Sequence, residues 1–193
     1  MGEAFQLLMW CLRPTREPAA PVQGVDWEKL LKLAESHGVR PLVHQALAAT
    51  SPPELAKFFR ANAIKNLHLT AEFLRLLRLL DAHAIRAVPL KGPALAQSLY
   101  GDLALREFSD LDVLVQEADL RKARELLETQ GYRLTFALDP RDEAAYVRDE
   151  HHYQLLHPAK GIVIELHWRF AQRWSPFPLS PAQVWLRLQP IPL

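Results

Sequence analysis

The sequence is poor in several features that would assign it to a class at once. Cys11 is the only cysteine among 193 residues, so no intrachain disulfide can form and no cysteine-based zinc site is expected. The formal net charge is +1, so bulk electrostatics favour neither nucleic acid nor a membrane surface as a partner. Internal repeats and low-complexity tracts are missing as well. These absences indicate an ordinary globular protein with enough residues for a sizeable core.

Long apolar runs are also absent. No stretch reaches the length of a membrane span, and residues 1–18 lack the basic segment that precedes the apolar part of a secretory signal. Together with the lone cysteine, this predicts a cytoplasmic protein without a membrane partner.

The first part of the chain has apolar residues at helical spacing. Asp26 is a plausible N-cap, and Gly38 is placed to end the helix that Asp26 begins. A proline-rich connection is expected over residues 14–24. The predicted helices cover residues 3–12, 26–38, 41–48 and 54–83, the last being a long central packing element. Residues 1–83 are therefore predicted to form a helical N-terminal region, which is also a candidate surface for homodimerisation.

From residue 84 the pattern changes to short apolar runs that alternate with helices, glycines and prolines. The predicted strands are 84–90, 110–115, 132–138, 151–157 and 162–168. Helices are predicted over 93–101 and 116–131, and "PAKG" joins the last two strands as a hairpin. A short helix is expected in the proline-rich end. The predicted fold class is α+β, with a mixed sheet flanked by helices over residues 84–193.

Two aspartates stand in the apolar strand "DLDVLV". Because a strand has a side-chain period of two residues, Asp110 and Asp112 are expected to point to the same face. A half-solvated strand with no function would also show this alternation. Adjacent negative charges repel, however, unless a divalent cation lies between them, and Mg²⁺ prefers such oxygen ligands.

A third carboxylate interrupts the last apolar strand, "GIVIELHW". Glu165 shares its predicted face with Val163 and His167. If this strand lay beside the aspartate strand, three carboxylates would converge, as in sites that hold two metal ions for phosphoryl displacement. The alternative is an isolated glutamate on an edge strand. His167 is interpreted as a partner of a carboxylate, and the pair His151–His152 as a solvated start of a strand.

Upstream, "VPLKGPALAQSLYGD" predicts a strand, a glycine turn and a helix. Gly92 would let the backbone approach a ligand, the helix N-terminus is a natural anion site, and Lys91 adds positive charge there. A simple turn with an exposed lysine remains the alternative. The stretch is not a P-loop, because its glycine and lysine spacing does not match that motif.

In order and spacing, the stretches "LKGPALAQSLYGDLALREFSDLDVLV" and "VIELHW" resemble the DNA polymerase β-like nucleotidyltransferase superfamily. More closely, the sequence resembles the bacterial family of uncharacterised nucleotidyltransferases. The helical segment "DWEKLLKLAESHGVRPLVHQAL" is similar to the lead-in of that family. The resemblance extends from about Trp27 to Trp168.

The resemblance implies a role for each matching residue. Asp110 and Asp112 would bind Mg²⁺ (or Mn²⁺) and the triphosphate of an NTP such as ATP, and Glu165 would be the third metal-binding and catalytic carboxylate. The remaining cofactor-binding residues would contact phosphates: Lys91, Gly92, Arg106 and Ser109. The implied reaction moves a nucleoside monophosphate to an acceptor hydroxyl on a small molecule, a protein or an RNA end.

The sequence departs from the family pattern at two places. Pro93 follows Gly92 where relatives often carry a second small residue, and proline has no N–H to donate to a phosphate. The chain also ends soon after Glu165, which is expected of a short or truncated member. Both departures favour an alternative function, a catalytically degenerate module that binds a nucleotide or a partner.

A second alternative is a metal-dependent glycosyltransferase that uses its D-x-D motif to hold a nucleotide-sugar. Such enzymes usually begin with a nucleotide-binding α/β region, whereas this chain begins with predicted helices. A phosphatase of the D-x-D-x-T type is disfavoured because position 114 is leucine.

Overall fold

The computed structural model describes residues 2–15, 22–139, 141–175 and 181–191, without the side chains of residues 49, 181 and 182. The proline-rich connection predicted over residues 14–24 lies outside these ranges at residues 16–21. Within them the chain is a mixed α/β protein with a helical N-terminal region, which confirms the predicted fold class.

The described helices are α1 (Glu3–Cys11), α2 (Trp27–Ser36), α3 (Arg40–Leu47), α4 (Pro53–Ala82), α5 (Gly92–Tyr100), α6 (Leu120–Thr129), α7 (Glu143–Asp149) and α8 (Pro181–Trp185). The strands are β1 (Ala87–Pro89), β2 (Asp110–Val115), β3 (Arg133–Leu134), β4 (His152–His157) and β5 (Ile162–His167). No helix of the described residues is long and apolar enough to cross a membrane.

The chain divides into two compact units, and α4 contributes residues to both. The first unit comprises Met1–His68 and Leu99–Phe108, and the second comprises Leu69–Ser98 and Ser109–Leu193. The domain boundary predicted near residue 83 stays a prediction.

The first unit is helical and has its own apolar core. Leu7 of α1, Leu30 of α2 and Val43 of α3 are completely buried in this core, together with Leu55 at the start of α4. Asp26 accepts a hydrogen bond from the backbone N–H of Lys29 at 3.0 Å, which confirms its predicted role as the N-cap of α2.

Two buried asparagines of α4 hold the segment that ends the first unit. Asn66 donates to the carbonyl oxygens of Leu103 and Arg106 at 2.6 and 2.8 Å, and Asn62 donates to those of Ala104 and Arg106 at 2.9 and 3.2 Å. Buried carbonyl groups without donors would be costly, so these amides stabilise the short 3-10 helix Leu103–Leu105 and the residue that follows it.

The second unit contains a five-stranded mixed sheet in the order β1-β2-β5-β4-β3. β2 and β5 are parallel, while β1–β2, β5–β4 and β4–β3 are antiparallel pairs. The predicted hairpin is confirmed as β4–β5, in which His157 pairs with Ile162 across the turn.

One face of this sheet is apolar and packs against helices. Leu111, Val113, Ile164 and Leu166 alternate onto it, and all four are buried. Tyr153 of β4 lies on the same face, stacks on Tyr146 of α7 and donates to Glu143 at 3.1 Å. Burial of these large side chains fixes the register of β2 and β5, since a slip of one residue would move them to the opposite face of the sheet.

The sheet departs from the predicted strands in two places. β1 begins only at Ala87, because Ala84 adopts a left-handed conformation (φ +55°) and Ile85 N–H still donates to Leu80 of α4. β3 is cut to Arg133–Leu134, since Phe136 leaves the strand ladder and packs its ring 5.1 Å from that of Tyr146.

The helix α7 that receives Phe136 had no counterpart among the predicted elements. None of its residues is fully buried, and its aromatic contacts to the sheet support it.

Candidate active site

The candidate site lies on the other face of the sheet, where β2 and β5 run side by side. Asp112 lies directly opposite Glu165 in the parallel register, and Leu114 lies opposite His167. Since neighbouring residues in register point to the same face, the carboxylates of β2 and β5 share one side of the sheet. The strand that carries the aspartates and the strand that carries Glu165 are therefore neighbours in the sheet of the second unit.

Asp112 is the centre of this site. Its side chain is only 3% exposed, and its Oδ1 lies 3.0 Å from Lys91 Nζ and 3.2 Å from His167 Nε2. The same Nε2 lies 3.3 Å from Glu165 Oε2. An ionised carboxylate can only accept, so Nε2 of His167 is assigned as the protonated nitrogen that donates to Asp112. The interpretation of His167 as a partner of carboxylates agrees with these distances.

The electrostatics of Asp112 favour its ionised form. Burial alone would raise the pKa of Asp112, but the hydrogen bonds from His167 and Lys91 outweigh it and lower the pKa below the ordinary value. For Lys91, burial lowers the pKa, and the carboxylates of Asp112, Glu165 and Asp110 raise it above the usual value. The site thus holds fixed negative charge and one exposed cation at neutral pH.

Lys91 reaches Asp112 from the turn between β1 and α5. Leu90 N–H donates to the backbone carbonyl of Asp112 at 3.1 Å, which ties the turn to β2. Gly92 follows at the first position of α5 with φ +54°, a left-handed conformation that favours glycine. The turn predicted from "KGP" therefore brings a lysine and a helix start to the carboxylates.

The other predicted site residues flank this centre or belong to the other unit. Asp110 opens β2 on the same face as Asp112, half-buried and opposite Val163. Ser109 is exposed and directly precedes β2. Arg106 belongs to the first unit, where its backbone carbonyl accepts from the two asparagines of α4. The functional roles of all three stay predictions.

Asp112, Glu165 and His167 form one of two groups of potential metal ligands in the described ranges, and Asp110 belongs to neither group. One ligand atom from each of Asp112, Glu165 and His167 lies within 4.8 Å of those of the other two. Carboxylate oxygens are suitable ligands for a hard divalent cation. The two carboxylates of this group therefore fit Mg²⁺ or Mn²⁺, with Asp110 positioned two residues from Asp112 on the same strand face.

The prediction that His151 and His152 form a solvated start of a strand is wrong. Their side chains are only 22% and 25% exposed, and His152 Nδ1 lies 3.1 Å from His151 Nε2. Burial, and then repulsion from the neighbouring histidines, lower the pKa of His152 to about 4. The "PAKG" hairpin was the available signal, because its register places His152 opposite His167.

A mixed sheet whose adjacent strands bring carboxylates together, beside a lysine–glycine turn at a helix start, is consistent with a nucleotidyltransferase-type fold. The comparison with protein families specifies the class further. The model of the uncharacterised nucleotidyltransferase family matches residues 23–193, and the chain belongs to that family. A comparison with curated proteins finds no significant match.

Proposed function

We propose that the protein is a divalent-metal-dependent nucleotidyltransferase that transfers a nucleoside monophosphate from an NTP to an acceptor hydroxyl. The observation that carries the proposal is the opposition of Asp112 and Glu165 on adjacent parallel strands, with Lys91 Nζ 3.0 Å from Asp112. Membership of the nucleotidyltransferase family supports the same reaction class.

In this proposal Asp110, Asp112 and Glu165 hold Mg²⁺ or Mn²⁺. When bound, the metal supplies positive charge that orients the triphosphate and offsets the charge that develops during transfer. The ligand chemistry of the site fits a divalent cation. Asp112 is a nearly buried anion, and Lys91, its cationic partner among the described residues, has a side chain that is 54% exposed. Such an anion is costly to bury unless positive charge accompanies it.

Lys91 and Gly92 bind phosphates in the proposed complex. The Lys91 side chain is long and half-exposed, so it can exchange its contact with Asp112 for a contact with a phosphate oxygen. Pro93 has no N–H, which leaves the Lys91 ammonium and later amides of α5 as the donors. Ser109 and Arg106 are proposed as further phosphate contacts on the basis of the family resemblance.

Transfer would form a bond between the acceptor oxygen and the α-phosphorus while the bond to the departing pyrophosphate breaks. Glu165 is proposed to accept the proton of the acceptor hydroxyl, since its side chain is 18% exposed and thus more accessible than that of Asp112. His167 holds Asp112 and Glu165 in place by contacting both carboxylates. Catalysis would depend on positioning and charge rather than on a covalent intermediate.

The test is binding of each NTP with Mg²⁺ or Mn²⁺, followed by thermal shift and calorimetry. We expect a metal-dependent rise in melting temperature that Asp112→Asn abolishes. Glu125→Gln is the matched control, because Glu125 is an exposed carboxylate of α6 paired with Arg121. An equal rise in Asp112→Asn would contradict the metal assignment.

A second candidate function is a nucleotide-binding module without transfer activity, which Pro93 at the start of α5 favours. Incubation with α-labelled NTPs and small-molecule, protein or RNA acceptors separates the two. Transferred label with release of pyrophosphate supports the enzyme. Metal-dependent nucleotide binding without any transfer supports the module.

A further inference from the structure

A second group of metal-ligating side chains lies beside the carboxylates, and two of its three members have no role in the proposed transfer reaction. One ring nitrogen from each of His151, His152 and His167 lies within 4.8 Å of those of the other two. The ring centroids are 4.4 Å apart for His151–His152, 5.1 Å for His152–His167 and 5.9 Å for His151–His167. We propose that these three histidines form a binding site for a nitrogen-preferring divalent transition metal of the Zn²⁺ class.

The backbone explains why the three rings meet. His152 of β4 pairs directly with His167 of β5, so their side chains project from the same face at neighbouring positions. His151 precedes β4, and its carbonyl accepts from Trp168 N–H at 3.0 Å, which fixes the end of the hairpin. The cluster is therefore built on the strand pair that carries Glu165, not on a free loop.

The ring nitrogens are suited to a metal ion. A tetrahedral zinc site has Zn–N distances of about 2.0–2.1 Å, which implies about 3.3–3.4 Å between its nitrogens. His152 Nδ1 and His151 Nε2 are already 3.1 Å apart. The three ligand nitrogens lie within 4.8 Å of one another, so ring movements of up to about 1.5 Å would complete this geometry.

A buried ring nitrogen without a partner points to the same conclusion. Nδ1 of His167 is buried without a hydrogen-bond partner among the described residues. With Nε2 of His167 donating to Asp112, Nδ1 is the nitrogen that carries the lone pair in the neutral form of this ring. Buried lone pairs are normally satisfied, and an ion is one way to satisfy them.

The chemistry of the ligands distinguishes this site from the proposed magnesium site. Imidazole nitrogens favour Zn²⁺, Co²⁺, Ni²⁺ and Cu²⁺, whereas Mg²⁺ takes oxygen ligands and retains water. His167 belongs to both groups of ligands, because its Nε2 contacts Asp112 and Glu165. The histidine site does not depend on nucleotidyl transfer, and it can be tested without any nucleotide.

The first experiment is calorimetric titration of metal-free, tag-free protein with Zn²⁺ alone, and with Mg²⁺ alone in parallel. We expect one Zn²⁺ per chain, and we expect His152→Gln and His151→Gln each to lower Zn²⁺ affinity by about tenfold or more. His83→Gln is the control, since His83 is exposed at the end of α4 and should not alter the affinity. Visible absorption of bound Co²⁺ should indicate nitrogen coordination and should disappear in the cluster variants.

The histidine ring NMR signals of the wild-type protein provide a measurement that does not depend on folding of the variants. Zn²⁺ should shift the ring signals of His151, His152 and His167 and leave that of His83 in place. Absence of Zn²⁺ binding, equal affinity in the cluster variants, or ring shifts elsewhere would overturn the proposal. Loss of the Mg²⁺–NTP effect with Zn²⁺ binding intact would refute only the proposed transfer function.

Discussion

Glu72 of α4 allows a quantitative prediction about the hairpin that carries Glu165 and His167. Its Oε1 accepts from Lys160 Nζ at 2.8 Å, from Tyr132 Oη at 2.9 Å and from Arg75 Nη2 at 2.8 Å. Lys160 lies in the turn between β4 and β5. A nearly buried carboxylate of α4 therefore joins the helix to the turn of the site-bearing hairpin within the second unit.

The magnitude follows from the ionisation of Glu72. The hydrogen bond from Arg75 is the largest effect, and together with those from Lys160 and Tyr132 it outweighs burial and lowers the pKa of Glu72 from 4.5 to about 2. At about 1.36 kcal/mol for each tenfold change in proton affinity, this corresponds to roughly 3.4 kcal/mol at neutral pH as an upper limit. The Arg75 and Lys160 side chains are 42% and 39% exposed, so solvent screening reduces the expected value to about 2 kcal/mol.

The pH dependence has a definite sign. Because the folded-state pKa of Glu72 is depressed, its stabilisation is fully present above about pH 4.5 and is lost as the pH falls towards about 2. Glu72→Gln should lower the free energy of unfolding by about 2 kcal/mol at about pH 7, and by less than half as much at about pH 3.

The assay is urea unfolding of wild type and Glu72→Gln at both pH values. Glu125→Gln is the control, since Glu125 pairs with the exposed Arg121 on the surface of α6 and its loss should leave stability unchanged. NMR detection of the side-chain carboxyl carbons should also give a pKa of about 2 for Glu72. If Glu72→Gln matched the control, or if its effect were the same at both pH values, the reasoning would be refuted.

The remaining predictions concern two residues that support the backbone of a turn or loop. Gly92→Ala should destabilise the protein by about 1–2 kcal/mol and weaken nucleotide binding, because φ is +54° at the turn that positions Lys91. Asn66→Leu should cost about 1–3 kcal/mol, because the carbonyl of Leu103 loses its amide donor and that of Arg106 keeps only one asparagine donor. Urea unfolding measures both, and an unchanged midpoint in either variant would contradict the assigned role.

Local patterns determined much of the candidate site. The two-residue period of a strand placed Asp110 and Asp112 on one face, and "KGP" predicted the turn that presents Lys91. Each of these conclusions depends on residues adjacent in sequence, whose geometry is nearly the same in any protein. The same holds for Asp26, which caps α2 through its own first turn.

Local patterns were less reliable where tertiary contacts compete with them. The predicted strand over residues 132–138 is short because Phe136 packs against α7. The helix α7 was not predicted, since its aromatic contacts with β4 and the end of β5 support it and its own sequence has little helical periodicity. In both cases, packing of aromatic rings outweighs the intrinsic secondary-structure preference of the local sequence.

The sequence by itself indicated the candidate side chains Asp110, Asp112, Glu165 and Lys91, and it placed each carboxylate on one face of its strand. Only the tertiary structure decided that β2 pairs with β5 in parallel, so that Asp112 meets Glu165, and that Lys91 and His167 both contact Asp112. It also brought His151 and His152 to His167. The physical reason is that pairing between strands distant in the chain depends on burial of their apolar faces in a shared core, which local periodicity does not encode.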